Sequence, residues 1–318
     1  MTAESKITSL FNIKYPIVQA GMIWCAGWEL ASAVSNAGGL GLIGSGSMYS
    51  EILREHIRKC KAATDKPFGV NVPLMYPDIE KHIDIIIDEG VKIVFTSAGN
   101  PKAWTSTLKS HGITVVHVVS SVRFALKSED AGVDAVVAEG FEAGGHNGRE
   151  ETTTLVLIPA VRDAIKIPLI AAGGIGSGRA MLAAIALGAD GVQMGSRFVL
   201  SNESSGHPAF KNAVLNSNEG DTTLVLKSLA PVRMLHNKFF DQITSEEKAG
   251  ASAESLAAIL GKGRAKKGMF EGDIDNGELE IGQVGNYIKN IKPAAEIIQD
   301  IWEEFLVAGR ELAGRLKE

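Results

Sequence analysis

The chain has little cysteine, no long apolar run and no excess of positive charge, and each absence excludes a class of protein. Only two cysteines, Cys25 and Cys60, occur in 318 residues. That is too few for a disulfide framework or a cysteine-built metal cluster. No apolar stretch approaches the ~20 residues that a membrane-spanning helix needs. The first residues, MTAESKITSLFNIKYP, carry no apolar signal core and no cleavage-site pattern. A cytoplasmic protein with no membrane partner is therefore expected. The formal net charge is −5. This argues against a nucleic-acid partner, because such binders usually show a broad basic footprint.

What is present is ordinary globular composition with much glycine. Hydrophobic residues make up 45% and charged residues 22%, as in soluble domains, and there are 35 glycines. The glycines sit at the ends of apolar runs, where a backbone turns tightly or approaches a ligand. Eight such runs recur: Pro16–Gly21, Leu40–Gly46, Phe68–Leu74, Ile93–Gly99, Val115–Ser121, Ala135–Gly140, Pro168–Gly174 and Gly191–Arg197. Runs that are apolar nearly throughout read as parallel strands buried on both faces. Segments with helical spacing lie between them, for example Trp28–Asn36, Ile52–Ala63 and Arg179–Leu187, the last ended by Gly188.

Eight βα units imply an α/β protein built as a TIM (β/α)₈ barrel. The rival, an open doubly wound sheet, usually has fewer strands and one glycine fingerprint after the first. Here glycine or polar residues close almost every strand. Past Phe198 the rhythm stops. Ser201–Val232 is mixed and polar, Ser245–Leu260 reads as a helix, and Gly272–Gly282 is acidic and turn-rich. From Pro293, the residues Ile297, Ile301, Phe305, Ala308 and Leu312 predict a long amphipathic helix. The expected division is a barrel over 1–205 and 283–318, with a small, mostly helical inserted unit over 206–282.

Two segments carry the strongest chemical signal: Ala171–Gly176 (AAGGIG) and Gln193–Arg197 (QMGSR), at the ends of strands seven and eight. A phosphate needs several backbone N–H groups converging on one spot with no Cβ in the way. Gly173, Gly174 and Gly195, with the Ser196 hydroxyl, meet that need. In barrels the phosphate site is often built from the loops after strands seven and eight. The plainer alternative is that these glycines only make tight turns. The motif by itself suits a sugar phosphate as well as a cofactor.

At these residues the chain resembles the FMN-dependent enoyl-acyl-carrier-protein reductases (type II), which share a superfamily with the nitronate monooxygenases, or 2-nitropropane dioxygenases. The matching stretches are Tyr15–Met22, Ala33–Gly44, Asp65–Val72, Ser97–Pro101, Val136–Gly148, Ile170–Ile175 and Gln193–Phe198. The tail Gly272–Gly285 and the stretch Ser201–Lys211 lean toward the reductase branch. The resemblance implies FMN as cofactor and NADH or NADPH as electron donor. It implies an enoyl substrate, free or carried on an acyl carrier protein, and a homodimer. By the same resemblance Gly21 and Met22 lie against the flavin ring, and Asn71 bonds its polar edge. Ser97 and Ala98 line that side, and Gly145 also belongs to the cofactor set. Gly173, Gly174, Gly195 and Ser196 hold the phosphate, with Gln193 nearby.

His146 follows strand six behind two glycines, on what reads as flexible backbone at the barrel mouth. An imidazole there can give or take a proton near working pH. A lone histidine is more often a loop residue, but the resemblance places this one at the flavin. In a nitronate oxidase it removes the proton next to the nitro group or bonds the nitronate. In an enoyl reductase it polarises the thioester oxygen or aids protonation of the α-carbon. Glu139 either orients His146 or a sugar hydroxyl, or is structural. Cys25 reads as a small site-lining residue rather than a catalytic thiol. Arg264, Lys266 and Lys267 form either a solvated loop or a surface that attracts an acidic carrier protein or a nucleotide phosphate.

Overall fold

The computed structural model describes residues 5–316. Each of the eight apolar runs forms a parallel strand: Ile17–Gln19, Gly41–Gly44, Phe68–Pro73, Ile93–Ser97, Thr114–Val119, Ala135–Glu139, Leu169–Ala172 and Gly191–Met194. They are numbered one to eight below. Around the sheet the order is one, eight, seven, six, five, four, three, two, so each strand lies beside its neighbours in sequence.

The sheet curls until strands one and two meet through the parallel bridge Val18–Leu40. Gln19 N–H donates to the Leu40 carbonyl and Leu40 N–H to the Ile17 carbonyl, both at 2.9 Å. Past that point a side chain continues the seam. The buried Gln19 amide accepts from Leu42 N–H at 3.0 Å and donates to the Leu42 carbonyl at 3.2 Å. A side-chain amide has the same donor and acceptor as a peptide unit, so it extends a ladder where backbone pairing stops. The result is a (β/α)₈ barrel.

Alternation along the strands sorts the core into two shells. Val18, Leu42, Phe95, Val116, Val137 and Ile170 fill the interior. Ile17, Ile43, Val94, Val115, Val136 and Val192 face outward into the larger cluster shared with the helices. The N-terminal helix Lys6–Phe11 plugs one end. Its Ile7 abuts Gly191, the first residue of strand eight, and its Phe11 ring lies 5.7 Å from that of Phe95. That leaves the opposite end, where the strands finish, for a ligand.

The helix expected over Arg179–Leu187 spans Gly178–Ala186, and Gly188 follows it at φ +101°. The terminal helix Ala294–Arg315 packs against it and buries Ile297, Ile301 and Trp302. Leu312, counted on the apolar stripe, is exposed. Between residues 206 and 282 lie the helices Pro208–Asn216, Lys238–Lys248 and Ala253–Leu260, and an antiparallel hairpin of Thr222–Val225 and Val232–Leu235. The single helix expected over Ser245–Leu260 is therefore two. Gly250, at φ +79°, interrupts it, and the Ser252 hydroxyl restarts it by accepting from Ser255 N–H at 3.2 Å. The second hairpin strand also pairs with Gly145–His146, from the loop after strand six. This stitches the 206–282 segment to the barrel mouth.

The Gln19 seam yields a stability test. Gln19→Ala leaves a buried N–H and a buried C=O of Leu42 without partners. It should cost about 2–5 kcal/mol in urea denaturation, since each such group costs about 1–3 kcal/mol. A cost below about 1 kcal/mol would mean that the amide does not close the barrel.

Candidate active site

Above the apolar interior the inward positions turn polar. Asn71, Ser97, Glu139 and Gln193 occupy the inward register near the ends of strands three, four, six and eight. The Asn71 amide donates to the Phe95 carbonyl at 3.2 Å. Its side chain presses on Gly21, at the end of strand one, where no Cβ fits. Met22 carries the chain onward from there. Its sulfur lies 3.4 Å from the point a Gly195 Cβ would occupy. Ser97 is half-buried, and Ala98 takes φ +50°, a strained value for a residue with a Cβ. Gln193 is 6% exposed, and its Oε1 has no partner among the described residues. Burial pushes the Glu139 carboxyl up to about 7.

The glycine turns lie together because strands seven and eight are adjacent, with Ala172 paired to Gln193. Gly173 and Gly174 take φ +91° and +66°. A Cβ on Gly173 would strike the Gly140 backbone, so only glycine fits. Among the described residues the amides of Gly173 and Gly174 have no protein acceptor. Ser196 begins a short helix, so its N–H is also unsatisfied within the helix. The Ser196 hydroxyl accepts from Gly282 N–H at 2.9 Å and keeps its own hydrogen to donate. Gly282 in turn lies against Gly144 and the Glu142 carbonyl. The tail segment thus crosses from the loop after strand six to the loop after strand eight and roofs the turn between them.

His146 is exposed at the mouth, but its backbone is not the flexible loop expected. It pairs with Val232, Gly145 pairs with Arg233, and Asn147 N–H donates to the Pro231 carbonyl at 2.8 Å. Arg233, 2% exposed, locks the same loop from below. Its guanidinium donates to the Phe141 carbonyl at 3.1 and 3.2 Å and to the Thr222 carbonyl at 3.3 Å, and lies over the Phe141 ring. The role of orienting His146 finds no support at Glu139, for no hydrogen bond joins the two among the described residues. Glu142 is occupied elsewhere. It accepts from Thr154 N–H and Oγ1 and caps the helix Thr154–Ala164.

The remaining candidates resolve into structural parts. Burial, then the charge of Glu280, pushes the Cys25 thiol up to about 12, so it is no thiolate at neutral pH. Arg264 donates to the carbonyls of Leu260, Ile259 and Asn276. Lys266 pairs with Glu271 and Lys267 with Asp273, each at 3.0 Å.

Sequence reasoning missed Arg233, Glu278 and Glu280. The signal for the last two was legible. In Gly277–Gly282 (GELEIG) the acids stand two apart, so an extended chain puts both carboxyls on one side and Leu279 and Ile281 on the other. Leu279 and Ile281 are indeed buried in an apolar cluster. The acids lie near His146, whose charge acts on Glu278. Arg233 gave no such signal, because its partners are carbonyls remote in sequence.

A family model described as nitronate monooxygenase matches residues 4–82 and 75–304. The chain is 38% identical, over 84% of its length and 75% of the relative's, to the (3aS,4S,5R,7aS)-5-hydroxy-7a-methyl-1-oxo-octahydro-1H-indene-4-carboxyl-CoA dehydrogenase of Rhodococcus jostii (strain RHA1). It is 36% identical, over 76% of its length and 81% of the relative's, to a probable nitronate monooxygenase of Staphylococcus saprophyticus. The solved structure of FabK from Thermotoga maritima superposes with a TM-score of 0.94 at 42% identity, over 99% of this chain and 100% of that one. With a (β/α)₈ barrel, paired glycine turns at the ends of strands seven and eight and a histidine at the mouth, the chain belongs to the nitronate monooxygenase family of FMN-dependent oxidoreductases.

Proposed function

We propose that the protein reduces the C2=C3 double bond of enoyl thioesters, with NADH or NADPH as electron donor and FMN as carrier. The observation that carries this reading is the whole-length likeness to FabK, which includes the 206–282 segment and the tail over the mouth. The thioester in the name of the Rhodococcus relative supports the same substrate class.

The residues present suit FMN on two counts. The free amides of Gly173, Gly174 and Ser196, with the Ser196 hydroxyl, suit a phosphate. The orphaned Gln193 Oε1 suits a donor such as a hydroxyl of the cofactor's sugar chain. Gly195 offers close backbone approach, and Gly21, Met22, Asn71, Ser97, Ala98 and Gly145 line the space for the ring. When bound and reduced by the nicotinamide, FMN would supply a hydride to the β-carbon of the enoyl group, and a proton from solvent would complete the α-carbon. His146 bonds the thioester oxygen and stabilises the charge that develops there as the β-carbon is reduced. The hairpin and Arg233 hold it in register for that task.

A second reading, oxidation of alkyl nitronates with O₂, is supported by the Staphylococcus relative. Anaerobic mixing separates the two. The yellow holoenzyme should bleach with NADH or NADPH and recolour when crotonyl-CoA is added. No bleaching by either, with rapid turnover of propionate-3-nitronate, would replace the first reading by the second.

Two substitutions test the residue roles. His146→Ala should lower kcat for the true substrate by about 10²–10³-fold, the usual cost of removing one donor to a developing oxyanion, while the flavin stays bound. Unchanged turnover would remove His146 from the chemistry. Ser196→Ala should weaken FMN retention in equilibrium dialysis by about 10–100-fold, as expected for one hydrogen bond to a charged group. Equal retention would show that Ser196 does not touch the phosphate.

A further inference from the structure

Glu280 occupies a place that the reading above leaves without a task. It follows Leu279 in an extended segment and pairs with Met234 of the hairpin through an antiparallel bridge. Its Oε2 stands 2.5 Å from where a Gly145 Cβ would be. The carboxyl thus fills the space that glycine leaves open, one residue from His146. Its charge acts on Cys25, in the loop after strand one, so the two lie close together. Two residues on, Gly282 bonds Ser196 in the turn after strand eight. The carboxyl is therefore set between the loops of strands one and six, over the mouth.

No hydrogen bond or ion pair reaches the side chain of Glu280 or of Glu278 among the described residues, although Glu278 is only 6% exposed. The charged groups around them are few. Arg264 and His146 act on Glu278. Cys25, a neutral thiol, lies close to Glu280, and the Lys211 charge also acts on it. The Arg233 guanidinium, on the hairpin, is turned to the Phe141 and Thr222 carbonyls. Burial raises both carboxyls well above the usual carboxylate range, and repulsion from Glu280 raises Glu278 further.

We propose that Glu280 is a second catalytic residue of this site: a protonated carboxyl that, beside His146, donates a hydrogen bond to the carbonyl oxygen of a thioester substrate. The assignment rests on the enoyl-thioester reading. A carboxylic acid kept neutral in an apolar site can donate such a bond. Burial of Glu280 is what favours its neutral form. The sign of the pH effect follows. As pH rises through the raised pKa of Glu280, the donor is lost and a negative charge faces the substrate oxygen. Affinity and kcat/KM then fall on the alkaline side.

The test uses the FMN-loaded enzyme with crotonyl-CoA from pH 5.5 to 9.5. Turnover with nicotinamide is followed, and separately binding to the oxidised enzyme, read from the flavin spectrum. The wild type should lose kcat/KM by about tenfold per pH unit above the titration of Glu280, and crotonyl-CoA binding should weaken over the same range. In Glu280→Gln, whose amide donates at every pH, both falls should vanish, with kcat/KM at pH 6 within a few-fold of wild type. Glu280→Leu should lower kcat/KM about tenfold at pH 6, as expected for one lost hydrogen bond. A Gln variant that keeps the wild-type alkaline fall overturns the assignment. Crotonyl-CoA that binds with the expected pH dependence but is never reduced upholds the carboxyl and overturns the reductase reading. Reduction without that dependence does the reverse. Neither binding nor reduction overturns both.

Discussion

The barrel depends on one seam. Seven of its contacts are continuous parallel ladders, whereas the eighth, between strands one and two, has a single backbone bridge and the Gln19 amide. If that seam opened, the sheet would have two edges and its strand ends would no longer face a common centre. Gly21 and Asn71 meet across the mouth only because the sheet has closed. The seam is also where the interior cluster joins, since Val18 and Leu40 face it from either side.

Given closure, the site is assembled from three sources. The barrel supplies the polar crown of Asn71, Ser97, Glu139 and Gln193 and the glycine turns of strands seven and eight. The hairpin of the 206–282 segment supplies the strand that holds His146 in register. The tail supplies Gly282, which ties Ser196 to the loop after strand six, and the acids Glu278 and Glu280. A paired backbone differs from a loose loop in what it leaves to be ordered. The backbone at His146 is held in place by the hairpin, so its main chain need not be ordered by a ligand. The buried guanidinium of Arg233 serves the same end, because carbonyls that would otherwise lose their hydrogen bonds draw the loop and the hairpin together.

The mouth is acidic but holds its acids near neutrality. Glu139, Glu278 and Glu280 all stand above the ordinary carboxylate range because burial penalises their charged forms.

The sequence by itself determined the eight strands, their parallel direction and the glycine turns that end strands seven and eight. These are encoded locally, by apolar runs buried on both faces and by glycines at strand ends. It also determined the terminal helix, through the spacing of Ile297 and Ile301. The resemblance of its motifs pointed to FMN. Only the tertiary structure decided the rest. Strand pairing over some ninety residues put His146 against Val232, and no local pattern encodes such a register. A side-chain amide closed the barrel at Gln19. Leu279 and Ile281 turned inward and so aimed Glu278 and Glu280 back at the mouth. The glycine turns were legible because one strand end builds each of them. The alternation in Gly277–Gly282 showed that Glu278 and Glu280 share a side, but not where that side lies, because the segment crosses the barrel far from its neighbours in sequence, and burial there raises both carboxyls.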